Sequence, residues 1–199
     1  MSRSTRNNQV LEQPVRTFTN RAIISVLMIL LLLAAGCAEP GMPGPAEGSK
    51  SVSAANPLAG KKIPAFSATD LNGQVVTEQV FQQHTLTMVN LWGTFCQPCI
   101  REMPDLQRLQ DKYQTSGVKV LGVVVDKDAA AAKRITASTA ARYQNVIPDA
   151  TLEQNVCRAF AYVPATIFVD SNGRIFEEMV SGSNNLEGYS RVIDGLLKK

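Results

Sequence analysis

Metal ligands are scarce in this chain, whose 199 residues hold a single histidine, His84, and four cysteines. A zinc site needs four nitrogen or sulfur ligands at characteristic spacings. Beside the pair Cys96 and Cys99 the chain offers only Cys157 and His84, in no ligand-like spacing, so neither a metal nor another cofactor is expected. Charge of one sign is equally thin. The net charge is +3, and Arg3, Arg6, Arg16 and Arg21 stand in the first 36 residues against Glu12 alone. Beyond position 36 lie sixteen of the 20 basic and sixteen of the 17 acidic residues, a balance that gives nucleic acid nothing to bind. Long apolar runs are also missing. The longest, 22–35, is too short to cross a membrane comfortably.

The chain is instead organised around residues 88–104. An apolar run over 86–92 reads as a buried strand, Gly93-Thr94-Phe95 forms a turn, and helix-start residues carrying Cys96 and Cys99 follow. Two cysteines separated by two residues can close a disulfide. A thiolate at the first position also faces the unpaired N–H groups and the positive end of the helix. Both effects lower the thiol pKa, which makes Cys96 the attacking sulfur and Cys99 the more buried resolving one. Pro98 suits the first helical turn, whereas Pro104, a turn further in, is expected to kink the helix.

The run Trp92-Gly93-Thr94-Phe95-Cys96-Gln97-Pro98-Cys99 with Glu102-Met103-Pro104 resembles the active site of the thioredoxin superfamily, in its TlpA/ResA-like branch of extracytoplasmic thiol-disulfide oxidoreductases. The resemblance covers residues 57–199 and implies an α/β, thioredoxin-like fold: a central mixed β-sheet flanked by helices, with an N-terminal β-hairpin extension. It also implies roles. Val163-Pro164 looks like the cis-proline segment that faces the dithiol, and its backbone would pair with an extended client as an added strand. Glu102 falls where ResA-like members carry an acid near the cysteines, able to exchange a proton during resolution and raised in pKa by burial. Asn90 stands where thioredoxin keeps a buried aspartate, which shifts that duty onto Glu102. Trp92, the only tryptophan, is expected beside the dithiol and, with Val163 and Pro164, in contact with the client. Cys157 reads as a buried small hydrophobe or, more sharply, as a third relaying thiol, and His84 as a surface or loop residue.

Ahead of this domain, the order of arginines, apolar run and Ala34-Ala35-Gly36-Cys37 is that of a secretory signal. A cysteine directly after the small residues resembles a lipobox. It implies a signal over 1–36, lipidation of Cys37 and, over 37–56, a Pro/Gly/Ser/Ala tether.

Within the domain, Asn72-Gly73 between residues 63–70 and 74–77 signals a hairpin, with Phe66, Leu71, Val75 and Val80 capping one end of the core. The active-site helix is expected to reach about Ser116, with Gly117 stopping it. A strand follows over 118–125, then an Ala-rich helix to about Tyr143, a short strand or extended link at 146–149, a helix over 151–160, strands at 165–170 and 175–180, and a last helix over 185–199.

The expected activity is reduction of disulfides in envelope or secreted proteins, such as apocytochrome c or a methionine sulfoxide reductase. The family implies a monomer held to the cell membrane by its lipid, facing outside the cytoplasm, with electrons from a membrane donor of CcdA or DsbD type. Three alternatives stand beside it. A thiol oxidant would use the same residues. A peroxiredoxin-like peroxidase would place a threonine three residues before its cysteine, whereas Thr94 is two before Cys96. A Sco-like copper chaperone needs wider cysteine spacing and a downstream histidine, whereas His84 lies upstream.

Overall fold

The computed structural model describes residues 55–199; the signal, Cys37 and most of the tether lie outside them. The strand read at the centre is β3 (Leu86–Trp92), buried along its whole length. Its continuous apolar run is what a strand covered on both faces requires. From β3 the chain enters helix α2 (Gln97–Tyr113) and returns as β4 (Val118–Val124), paired parallel to β3 from Leu86↔Val118 to Trp92↔Val124. The last turn of α2 tightens into a 3-10 turn (Gln114–Ser116), and Gly117 ends it in the left-handed region at φ 75°. Pro104 lies inside α2, where its ring supplies no N–H to the Ile100 carbonyl one turn back.

The N-terminal hairpin pairs β1 (Ser67–Asp70) antiparallel with β2 (Val75–Thr77), and a short helix α1 (Gln79–Gln82) leads on to β3. Asp70 Oδ1 accepts from the N–H groups of Asn72 and Gln74, which locks the turn. One reading of this hairpin is corrected. Phe66 and Val80 are buried and Leu71 half-buried, but Val75 is 68% exposed, because strand alternation turns Val76 inward in its place.

After β4, helix α3 (Ala129–Ser138) stops well short of Tyr143. The hydroxyls of Thr136, Ser138 and Thr139 bond back to carbonyls three or four residues earlier, and Ala140 turns to φ 54°. The released segment is captured by Gln107 Oε1, which accepts from the N–H groups of Arg142 and Tyr143. Strand β5 (Gln144–Ile147) then pairs parallel to β4 and antiparallel to β1, joining the hairpin to the main sheet.

The helix expected over 151–160 is two pieces, α4 (Ala150–Asn155) and a 3-10 turn (Cys157–Ala159). Strands β6 (Ala165–Asp170) and β7 (Ile175–Ser181) and helix α5 (Leu186–Leu196) complete the domain. The sheet order is β2-β1-β5-β4-β3-β6-β7, mixed in direction as anticipated.

Alternation along β3 separates two buried clusters. Met88 and Trp92 face the apolar sides of α2 and α5 together with Met103, Leu106, Tyr189 and both active-site cysteines. Val89 and Leu91 face the opposite cluster, with Phe66, Phe81, Leu152 and Ile167.

Candidate functional site

Cys96 and Cys99 are joined by a disulfide at the point where β3 gives way to α2. Cys96 is the N-cap of that helix, and its Sγ accepts from the Cys99 backbone N–H at 3.3 Å. It therefore occupies the end of the helix where positive partial charge gathers. Cys96 is 6% exposed and Cys99 1%, so the first sulfur is the one a client can approach. The preceding turn is tight: a Cβ on Gly93 would stand 2.6 Å from the Phe95 ring. Asp126, just past β4, anchors the turn by accepting from the Thr94 N–H (3.2 Å) and hydroxyl (2.5 Å).

The other wall of the site is Val163-Pro164, whose peptide bond is cis, as the resemblance implied. Cys96 Sγ lies 3.6 Å from the Val163 carbonyl oxygen. The Pro164 carbonyl is occupied by the Gly182 N–H, whereas among the described residues neither the N–H nor the C=O of Val163 has a backbone partner. Among the described residues, two of the three large apolar side chains exposed to solvent flank this wall. Phe95 is 68% exposed and Tyr162 86%, immediately before Cys96 and Val163 respectively.

Trp92 does not join them. It is fully buried, and its indole N–H donates to Asn145 Oδ1 at 2.9 Å, so the expectation that it touches the client is corrected. It belongs to the same buried cluster as both cysteines. Gly122 in β4 leaves room for that hydrogen bond, because a Cβ there would stand 1.9 Å from Asn145 Oδ1.

Glu102 is 4% exposed, one turn after Cys99 in α2. Its carboxylate accepts three hydrogen bonds. Asn90 Nδ2 donates to Oε1 at 3.0 Å, and Oε2 accepts from the Tyr189 hydroxyl at 3.0 Å and the Asn184 N–H at 2.9 Å. Asn90 Nδ2 also donates to Thr166 Oγ1 at 3.0 Å, and that oxygen is 3.2 Å from the Tyr189 hydroxyl. Burial outweighs these bonds and pushes the Glu102 carboxyl up to about 7. Tyr143 is buried in the same cluster as Tyr189, and among the described residues its hydroxyl has no hydrogen-bond partner. Burial, and after it the charge of Glu102, pushes that phenol well above the ordinary tyrosine range.

Position in sequence brought out Cys96, Cys99, Glu102, Asn90, Val163 and Pro164, and the fold gathers all six. It did not bring out Tyr189 or the Asn184 backbone, whose bonds to Glu102 span 87 and 82 residues. Thr166 was legible only as part of the proline segment, and Phe95 and Tyr162 carried no signal beyond being aromatic.

Cys157 lies elsewhere, packed against the cluster on the opposite face of the sheet. Burial pushes its thiol up to about 11, which keeps it protonated and unreactive at neutral pH. His84 sits half-buried in the loop before β3, and burial, then nearby Lys119, lowers its pKa. Among the described residues no three His, Cys, Asp or Glu side chains gather as metal ligands.

A family model described as Redoxin matches residues 58–193. The thiol-disulfide oxidoreductase ResA of Bacillus thuringiensis (strain Al Hakam) is 27% identical over 138 residues, covering 67% of this chain and 78% of that protein. ResA of Geobacillus thermodenitrificans is 27% identical over 146 residues, 69% of this chain and 77% of its own. Among solved structures, the thioredoxin domain of a thiol-disulfide oxidoreductase from Bacteroides vulgatus superposes with a TM-score of 0.58 at 21% identity, covering 70% of this chain and 97% of that one. A thiol:disulfide interchange protein from Chlorobium tepidum gives 0.58 at 19% identity over 68% and 95%. These likenesses establish the fold, and the family match covers the whole dithiol site. The chain belongs to the redoxin family and is a ResA-like, thioredoxin-fold thiol-disulfide oxidoreductase that carries the Cys96–Cys99 disulfide.

Proposed function

We propose that the protein is a membrane-tethered, extracytoplasmic reductant of protein disulfides. The Cys96 thiolate attacks one sulfur of a client disulfide, forming a mixed disulfide and releasing the client's other sulfur as a thiolate. Cys99, giving its proton to Glu102, then attacks Cys96 Sγ. The second client sulfur leaves, Cys96–Cys99 closes, and two electrons have passed from the dithiol to the client. Clients are secreted or envelope proteins, apocytochrome c and methionine sulfoxide reductases among them, and a membrane protein of CcdA or DsbD type restores the dithiol. Cleavage of residues 1–36, lipidation of Cys37 and a tether over 37–56 would hold the domain, 57–199, at the membrane surface.

One observation carries the client-binding half of this reading. The Val163 backbone, which has no backbone partner among the described residues, lies beside Cys96 Sγ, where an extended segment adding as a strand would set its own sulfur against the attacking one. Exposed Phe95 and Tyr162 would grip the apolar residues around the client's cysteine.

The reducing direction is tested by the reduction potential of the pair in a glutathione or dithiothreitol buffer. A value at or below about −250 mV fits a reductant, and one near about −120 mV would make the protein an oxidant with the same residues.

A further inference from the structure

Once Glu102 takes a proton, one of its oxygens becomes a donor and needs an acceptor. Its three partners differ in their ability to supply one. The Asn184 N–H is fixed by the backbone, and the Asn90 amide N–H₂ is already shared between Glu102 and Thr166. Turning the Asn90 amide would break both of its bonds, whereas the Tyr189 hydroxyl reverses by moving its hydrogen alone, and it already stands between Glu102 Oε2 at 3.0 Å and Thr166 Oγ1 at 3.2 Å.

We propose that Tyr189 is a positioning residue for Glu102, its hydroxyl donating to the carboxylate while Glu102 is ionised and turning to donate to Thr166 once Glu102 carries the proton of the resolving thiol. In the first state Thr166 Oγ–H donates to the Tyr189 oxygen, which donates to Oε2. In the second state Glu102 O–H donates to the Tyr189 oxygen and Tyr189 donates to Thr166 Oγ1. No proton crosses the chain. The hydroxyls only reverse, so both forms of the buried carboxyl stay paired, and an unpaired buried polar group is what would otherwise hold Glu102 in one form. The inference rests on the reading above that Glu102 accepts the Cys99 proton.

The titratable groups acting on Glu102 come from three elements: Asp105 on α2, Tyr189 on α5, and Tyr143 in the segment entering β5, while Cys99 stands three residues before Glu102 in α2, the spacing that shares a helix face. Neither phenol ionises near neutral pH, because burial raises both. Asp105 is paired with Arg108. Glu102 and the open Cys99 thiol are therefore the pair between which a proton moves.

The test is a titration of the Glu102 carboxyl by carbon-13 NMR in glutamate-labelled protein, assigned with Glu102→Gln, alongside the pH profile of disulfide exchange with oxidised glutathione. Tyr189→Phe removes a bond that is stronger to the ionised form, so the titration should move to higher pH by about tenfold in proton affinity. Thr166→Val takes the terminal acceptor from the protonated arrangement, while the ionised one loses only a donor to a Tyr189 oxygen whose own bond to Oε2 stays in place, so the titration should move the other way and Thr166→Ser should restore it. A merely structural role would lower rates without shifting either curve. If Thr166→Val leaves the titration in place, Tyr189 is a fixed donor and the reversal is wrong. If Tyr189→Phe does not fold, the two Thr166 variants decide alone. Should Glu102→Gln leave the pH profile of exchange unaltered, the underlying reading of Glu102 fails, an outcome distinct from an unmoved titration in the tyrosine and threonine variants.

Discussion

Glu102→Gln in the disulfide form should make the domain more stable above neutral pH, relative to the parent, than below it. In the folded protein the carboxyl titrates near about 7, chiefly because burial penalises the ionised form, against 4.5 for a free glutamate. The folded state thus binds the proton more tightly than the unfolded state. The sign follows from linkage: the stabilisation associated with the protonated form is fully present below about 4.5, falls as pH rises, and is gone above about 7. At about 1.4 kcal/mol per tenfold, the interval corresponds to about 3 kcal/mol lost between acid and mildly alkaline pH. Glutamine cannot ionise, so the variant should not show this decline. Urea denaturation of both proteins at pH 5 and pH 8.5 measures it directly. Because pH 5 already lies above the free glutamate's value, the difference between variant and parent should change by about 2.5 kcal/mol in the variant's favour on going to the higher pH. Parallel pH dependences would refute the reasoning, since they would mean that Glu102 pays nothing to ionise in its buried site.

Asn145→Ala would leave the Trp92 indole N–H buried without a partner and should cost about 1–3 kcal/mol of stability in the same urea assay. Gly122→Ala should cost at least as much, because its Cβ would displace the Asn145 side chain from the indole; a neutral result in either would remove this contact from the account. Phe95→Ala and Tyr162→Ala, both at exposed positions, should change stability by less than about 0.5 kcal/mol. They should nonetheless slow reduction of an unfolded protein disulfide by about tenfold while sparing oxidised glutathione, which is too small to reach them; equal effects on both substrates would contradict a docking role.

The strand-turn-helix unit was legible because every layer of local signal agreed: a continuous apolar run for β3, a proline in the first turn of α2, and Gly117 at its end. The cysteine pair, Glu102 and the proline segment lay within short windows whose spacing survives folding. What failed to show depended on distant partners. Tyr189 fits the apolar period of α5, and nothing in a 3.6-residue repeat says that its hydroxyl meets Glu102 from the other end of the domain. Trp92 shares a buried cluster with the dithiol but does not reach the surface, because its partner Asn145 comes from a strand two positions away in the sheet. Val75 and Val76 have the same apolar side chain type in a three-residue strand, so local pattern could not choose which one faces inward. The Ala-rich stretch after Asp128 reads on as helix, and its early stop rests on the back-bonding hydroxyls of Thr136, Ser138 and Thr139 together with a distant partner, Gln107, that captures Arg142 and Tyr143.

The assignment of Cys96 as the attacking sulfur is tested most directly by trapping. Reduced Cys99→Ser protein mixed with a disulfide-containing peptide should accumulate a mixed disulfide that peptide mapping places on Cys96, while Cys96→Ser accumulates none at a comparable rate. A mixed disulfide on Cys157, or one formed equally fast on Cys99 in the Cys96→Ser variant, would contradict the account.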